Sequence, residues 1–121
     1  MKVRGLRGAI TVAENSREAI LEGSALLLKT MMEENEVPLE EVCSVFFTVT
    51  PDLNKEFPAK GARQIGFENT PLICMTEIPV DGALEKCIRI LIHYNTEKLQ
   101  KEIRPIYLRD AVKLRPDLQN S

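Results

Sequence analysis

The 121-residue sequence contains one histidine and only three cysteines, Cys43, Cys74 and Cys87. Three is an odd number and the spacing matches no metal-ligand pattern, so the cysteines read as reduced thiols of a cytoplasmic protein. With so few soft ligands, a metal centre is a poor basis for function. No apolar run approaches the roughly 20 residues that span a bilayer. The segment Met1–Gly5 lacks the long apolar stretch of a secretion signal. A nucleophile elbow of the Gly-Xaa-Ser-Xaa-Gly type, a His-Glu-Xaa-Xaa-His pair, a Walker loop and a dinucleotide fingerprint are all missing. So are repeats, low-complexity stretches and linkers, which leaves one domain over 1–121 with a loose polar tail after Arg115. A strong basic balance is lacking too: the net charge of −2 argues against a nucleic-acid backbone binder.

What is present is an ordinary globular composition, 44% hydrophobic, long enough to bury a core without a disulfide or metal staple. Half of the sixteen basic residues are arginine, the side chain best shaped to grip carboxylates in a forked geometry. Most single arginines are solvated surface charge, so context must separate the exceptions.

Val3–Val12 reads as a strand. Asn15, with Glu18 three residues on, resembles a capping box opening a helix over 16–34. Ile20, Ser24, Leu27, Leu28 and Met31 share one face of that helix. Pro38–Glu41 reads as a short helical turn. Val42–Thr50 is almost continuously apolar and reads as a central buried strand. Phe57–Gln64 reads as a loop entering a short helix, and Pro71–Glu77 as a further strand. Lys86–Tyr94 is the clearest strand, with Cys87, Arg89, Leu91 and His93 alternating against Ile88, Ile90, Ile92 and Tyr94. A last strand is expected over Ile106–Lys113. The order predicts an α+β fold: a mixed, mainly antiparallel sheet with one long helix packed on one face. One helix cannot cover both faces, so the bare face should meet another subunit.

Arg89 stands out because an arginine in so apolar a run is expensive unless it is paired or faces a site. A structural salt bridge is the competing explanation. Glu77 closes the preceding strand and could equally be a surface carboxylate. Arg7 lies among small residues that leave room for a ligand, or is an edge-strand charge. Tyr107, Cys74 and His93 have bland readings as core, inert thiol and structural histidine. Lys60 and Arg63 would ordinarily be solvated. The pattern points to a small polyanionic ligand beside a sheet and names no reaction.

Six segments in register go further. They are Arg4-Gly5-Leu6-Arg7-Gly8-Ala9, Thr50-Pro51-Asp52-Leu53, Phe57-Pro58-Ala59-Lys60, Pro71 through Glu77, Lys86-Cys87-Ile88-Arg89 and Val112 through Leu118. Together they resemble the monofunctional chorismate mutases of the trimeric bacterial class. That resemblance implies a homotrimer with a pseudo-α/β-barrel core and active sites at subunit interfaces. It implies the cofactor-free rearrangement of chorismate to prephenate in aromatic amino-acid biosynthesis, with no nucleic-acid or membrane partner. In this resemblance Arg89 meets the ether oxygen and a carboxylate, Glu77 and Cys74 lie near the ring hydroxyl, and Arg7 and Tyr107 hold a carboxylate. Phe57, Ala59, Lys60 and Arg63 come from the neighbouring subunit, Leu114 is substrate-binding, and Arg115 closes over the mouth. Ile73 departs from relatives that carry a hydroxyl residue there, so only a backbone contact would survive at that position. The absence of an appended regulatory or dehydratase segment suggests a lone activity. Competing readings are an imine deaminase of the RidA-like group, which also grips a carboxylate with an interface arginine, and a non-catalytic trimer that binds an aromatic-pathway metabolite.

Overall fold

The computed structural model describes residues 1–114. Its elements are β1 (Lys2–Thr11), α1 (Arg17–Glu34), β2 (Val42–Val49), α2 (Ala59–Gln64), β3 (Leu72–Thr76), β4 (Cys87–Thr96) and β5 (Ile106–Leu108). Short 3-10 helices occupy Leu39–Glu41, Gln100–Glu102 and Arg109–Leu114. The strands form one sheet in the order β3–β2–β4–β1–β5. The long ladders, β1 with β4 and β2 with β4, are antiparallel. The edge ladders, β1 with β5 and β2 with β3, are parallel. This is the mixed α+β sheet expected from the sequence.

α1 packs on one face. It buries Ile20, Leu21, Leu27, Leu28 and Met31 against Leu6, Ile10, Val45, Phe47, Ile88, Ile90 and Ile92. Burying side chains of this size stabilises by about 1.5–3 kcal/mol each. Gly8 faces α1, where an added Cβ would lie 2.7 Å from Met31 Sδ and 2.8 Å from Ile106 O. Gly61 lets α2 close on α1, since a Cβ there would meet Ser24 Oγ at 2.1 Å. Ser24 in turn donates to the Pro58 carbonyl at 2.8 Å, tying the start of α2 to α1.

Three local expectations are corrected. Ser16, not Asn15, caps α1: its hydroxyl accepts from the Ala19 amide, while the Asn15 side chain bonds Asn54. The last strand stops at Leu108, because Arg109 takes φ = 56° and turns the chain into a 3-10 helix. An extended ladder cannot continue through that left-handed conformation. β2 is an interior strand but is buried on one face only; Phe46 and Thr48 on its other face stay partly exposed.

Candidate active site

The face opposite α1 is where the charged residues gather. Strand register fixes the arrangement. Arg89 lies in the middle of β4, opposite Ala9 of β1 and Thr48 of β2. Tyr107 lies beyond Ala9, and Met75 beyond Thr48. One row across the sheet therefore reads Met75, Thr48, Arg89, Ala9, Tyr107. Small Ala9 leaves the guanidinium space on one side, and the Thr48 hydroxyl gives it a polar neighbour on the other. Arg7 sits two residues from Ala9 on the same face, with Gly5 and Ala9 as its small neighbours along the strand.

These residues line a cavity of about 480 Å³ together with Phe46, Glu77, Leu91 and Leu114. That is within the range of small-molecule sites, about 300–1,000 Å³. Glu77 follows β3, and its amide donates to the Val49 carbonyl at 2.8 Å. Its carboxylate accepts a short hydrogen bond from the Thr48 hydroxyl. Arg89 Nε lies 3.4 Å from the same carboxylate oxygen. A salt bridge was the competing explanation for Arg89, and an ion pair is present. It is a loose one, however, between two groups on the wall of the cavity, and the Arg89 side chain is 46% exposed. Such a pair leaves the guanidinium available to a stronger acceptor.

The far end of the cavity has an apolar floor. Ala9, Cys87 and Ala111 are buried there, and Leu84, Tyr107 and Leu114 pack against them. Burial pushes the Cys87 thiol up, against the opposing pull of Arg89. His93 shares the open face but stacks edge-on against Phe46 at 5.3 Å, which suits the structural reading.

A second group stands apart. Phe57 is 66% exposed. Lys60 pairs with Glu56 at 3.2 Å, and Arg17 pairs with the same carboxylate at 2.9 Å. The Phe57 amide, followed by these cations, holds the Glu56 carboxyl below its ordinary range. Arg63 donates to the Phe67 carbonyl, and Ala59 packs on the core. Cys74 points to the α1 side, in register with Phe47, where burial pushes its thiol up. Ile73 lies on the open face at the sheet edge, half exposed.

Within one chain, then, the structure brings together Arg7, Glu77, Arg89, Tyr107 and Leu114. Phe57, Ala59, Lys60, Arg63, Ile73 and the Cys74 side chain are not part of that cavity. Arg115 lies outside the described residues. Sequence reasoning missed Thr48, Met75, Leu91, Phe46 and Ala9. The signal was available: Phe46 and Thr48 alternate with Val45 and Phe47, so they face the same way as Arg89 once β2 pairs with β4. The same alternation puts Cys74 and Glu77, three residues apart, on opposite sides of the strand direction.

Among the described residues, no helix is long and apolar enough to cross a membrane. Among the described residues, no group of three or more His, Cys, Asp or Glu side chains is placed to hold a metal ion.

Comparison with known proteins assigns the chain to a family. A family model described as chorismate mutase type I matches residues 3–118. The chain is 49% identical over 120 residues to chorismate mutase AroH of Thermus thermophilus, covering 98% of each chain. It is 43% identical over 119 residues to chorismate mutase AroH of Bacillus subtilis strain 168, covering 98% of this chain and 94% of that one. A solved chorismate mutase structure from Clostridium thermocellum matches with a TM-score of 0.87 at 46% identity, over 88% of this chain and 96% of that one. The match over nearly the whole sequence shows that the chain belongs to the chorismate mutase type I family.

Proposed function

We propose that this chain converts chorismate to prephenate in the cavity walled by Arg7, Glu77, Arg89, Tyr107 and Leu114. The observation that carries the assignment of the site is the guanidinium of Arg89, held mid-strand between Ala9 and Thr48 with the Glu77 carboxylate beside it. Neither the imine deaminase nor the binding-only reading is favoured by the family.

Chorismate is a dianion whose ether carbon–oxygen bond breaks as a carbon–carbon bond forms. No proton moves, so a general base has no task. The protein must hold the folded conformer and stabilise charge as it shifts. Negative charge grows on the ether oxygen, and a fixed guanidinium stabilises it more in the transition state than in the ground state. Arg89 takes that role. Its weak pairing with Glu77 favours exchange of one oxygen acceptor for another. Glu77, steadied by the Thr48 hydroxyl, accepts the ring hydroxyl on the side that becomes electron-poor. Arg7 and Tyr107 orient a carboxylate, and Leu114 helps keep water out.

Charge counting supports completion by a second subunit. Among the described residues, the charged side chains lining the cavity are Arg7, Arg89 and Glu77, a net of one positive charge for a dianionic ligand. Lys60 and Arg63 of a neighbouring subunit would supply the balance, with Phe57 and Ala59 beside them and Arg115 closing the mouth. Ile73, Met75, Ile78 and Val80 are exposed apolar residues on and after β3, which suits burial between subunits of a homotrimer. Cys74 then acts through its backbone, since its thiol faces α1. Composition and cysteine usage support a cytoplasmic location.

The test is direct. Purified protein is mixed with chorismate, and loss of the substrate's diene absorbance is followed with and without a strong chelator. Turnover unaffected by the chelator is expected. Absence of turnover would refute the function, and inhibition reversed by added metal would refute the cofactor-free mechanism.

A further inference from the structure

The Arg109 corner is not explained by packing alone. Among the described residues, Arg109 is one of three non-glycine residues with positive φ, at 56°, a conformation uncommon for a long side chain. It stands where β5 ends and the 3-10 helix Arg109–Leu114 begins. One guanidinium nitrogen, Nη2, forks onto both carboxylate oxygens of Glu22 on α1, at 3.1 and 3.0 Å. The same group donates to the Thr11 carbonyl at 3.2 Å. The next amide, Asp110, donates to the Thr11 hydroxyl at 3.1 Å. One corner is therefore tied to the end of β1 and to the outer side of α1.

On either side of that corner sit two cavity residues. Tyr107 precedes it and Leu114 follows it, and both line the cavity. Ala111, wholly buried, anchors the segment in the apolar cluster with Ala9 and Cys87, against which Tyr107 and Leu114 pack. The chain crosses here from the sheet edge to the open face. The position of both residues depends on the direction set at Arg109.

We propose that Arg109 and Glu22 form a latch that positions Tyr107 and Leu114 over the substrate, so that Arg109 is a positioning residue for binding. This rests on the reading of the cavity given above. One nitrogen is shared between the two Glu22 oxygens while the other holds the Thr11 carbonyl, so a single side chain joins the corner to both α1 and β1.

The test uses Arg109→Gly, which accepts the positive φ but removes the fork, together with Glu22→Gln and the double variant. Arg109→Gly is expected to lower kcat/KM for chorismate about tenfold, mainly through KM, with kcat within about twofold of the parent. Arg109→Lys should recover part of the loss. The double variant should be no worse than Arg109→Gly, because both changes break one interaction. Melting temperature is measured alongside, since a merely structural role would move stability and not the KM-to-kcat split. A parental KM in Arg109→Gly, a loss confined to kcat, or losses that add in the double variant would overturn the latch. An Arg89→Lys control separates the two levels: if that variant kept parental turnover, the reading of the cavity itself would fail.

Discussion

Arg89 is flanked in register by Ala9 and Thr48 and touches a carboxylate only at 3.4 Å. Replacing it by lysine keeps the charge and loses the planar fork. Arg89→Lys is therefore expected to lose at least about a hundredfold in kcat, the scale seen when an anion-stabilising donor is removed; near-parental turnover in the diene assay would contradict the assigned role. Arg89 stood out from sequence because a charge inside an apolar alternation is costly unless paired or facing a site, whereas Glu77 and Arg7 had bland readings and were marked by the resemblance. The resemblance put Cys74 near the ring hydroxyl without saying which of its atoms lies there, and in the structure its thiol faces α1. Strand parity carried the missing information. Glu56 went unnoticed because its carboxylate gathers Arg17 and Lys60 from different elements, a meeting that no local pattern encodes.

At the scale of elements, the turn into α2 hangs on that carboxylate. The Phe57 amide and the two cations favour its charged form, so its pKa lies below the ordinary 4.5. A group with a lowered folded pKa stabilises above its unfolded pKa and loses that contribution as pH falls through the folded value. Melting temperature is expected to fall below pH 4.5 in the parent, and Glu56→Gln should flatten that acid limb; an unchanged limb would show that the ion pairs hold nothing. Packing of the same turn depends on Gly61, whose absent side chain admits Ser24 of α1. Gly61→Ala should destabilise by about 1–3 kcal/mol, the usual range for overpacking, read as a lower thermal midpoint. The helices and the long strands were legible because their periodicity is local. The end of β5 was not, since nothing in Leu108-Arg109-Asp110 announces a left-handed arginine; the fork to Glu22 and the bond to Thr11 impose it from afar.

For the whole molecule, the sheet face left open by α1 carries a cavity whose described lining holds one net positive charge. If sites form between subunits, two inactive variants damaged on opposite sides of the interface should rescue each other. Arg89→Lys and Lys60→Ala, unfolded together and refolded as mixed assemblies, are expected to recover a fraction of parental activity, with the mass in solution of a trimer. No recovery beyond the separate variants would place each site within one chain.

The strand order has a consequence for how the protein comes apart. Arg89 rides on β4, paired on both sides over nearly its full length, whereas Tyr107 and Met75 ride on short strands at the two rims. Rims fray first, and doubly paired strands open last. Under mild warming or low denaturant, the amides of β5 and β3 should exchange with deuterium well before those of β4. The grip on the ligand would then slacken while the reacting cation still stood in place.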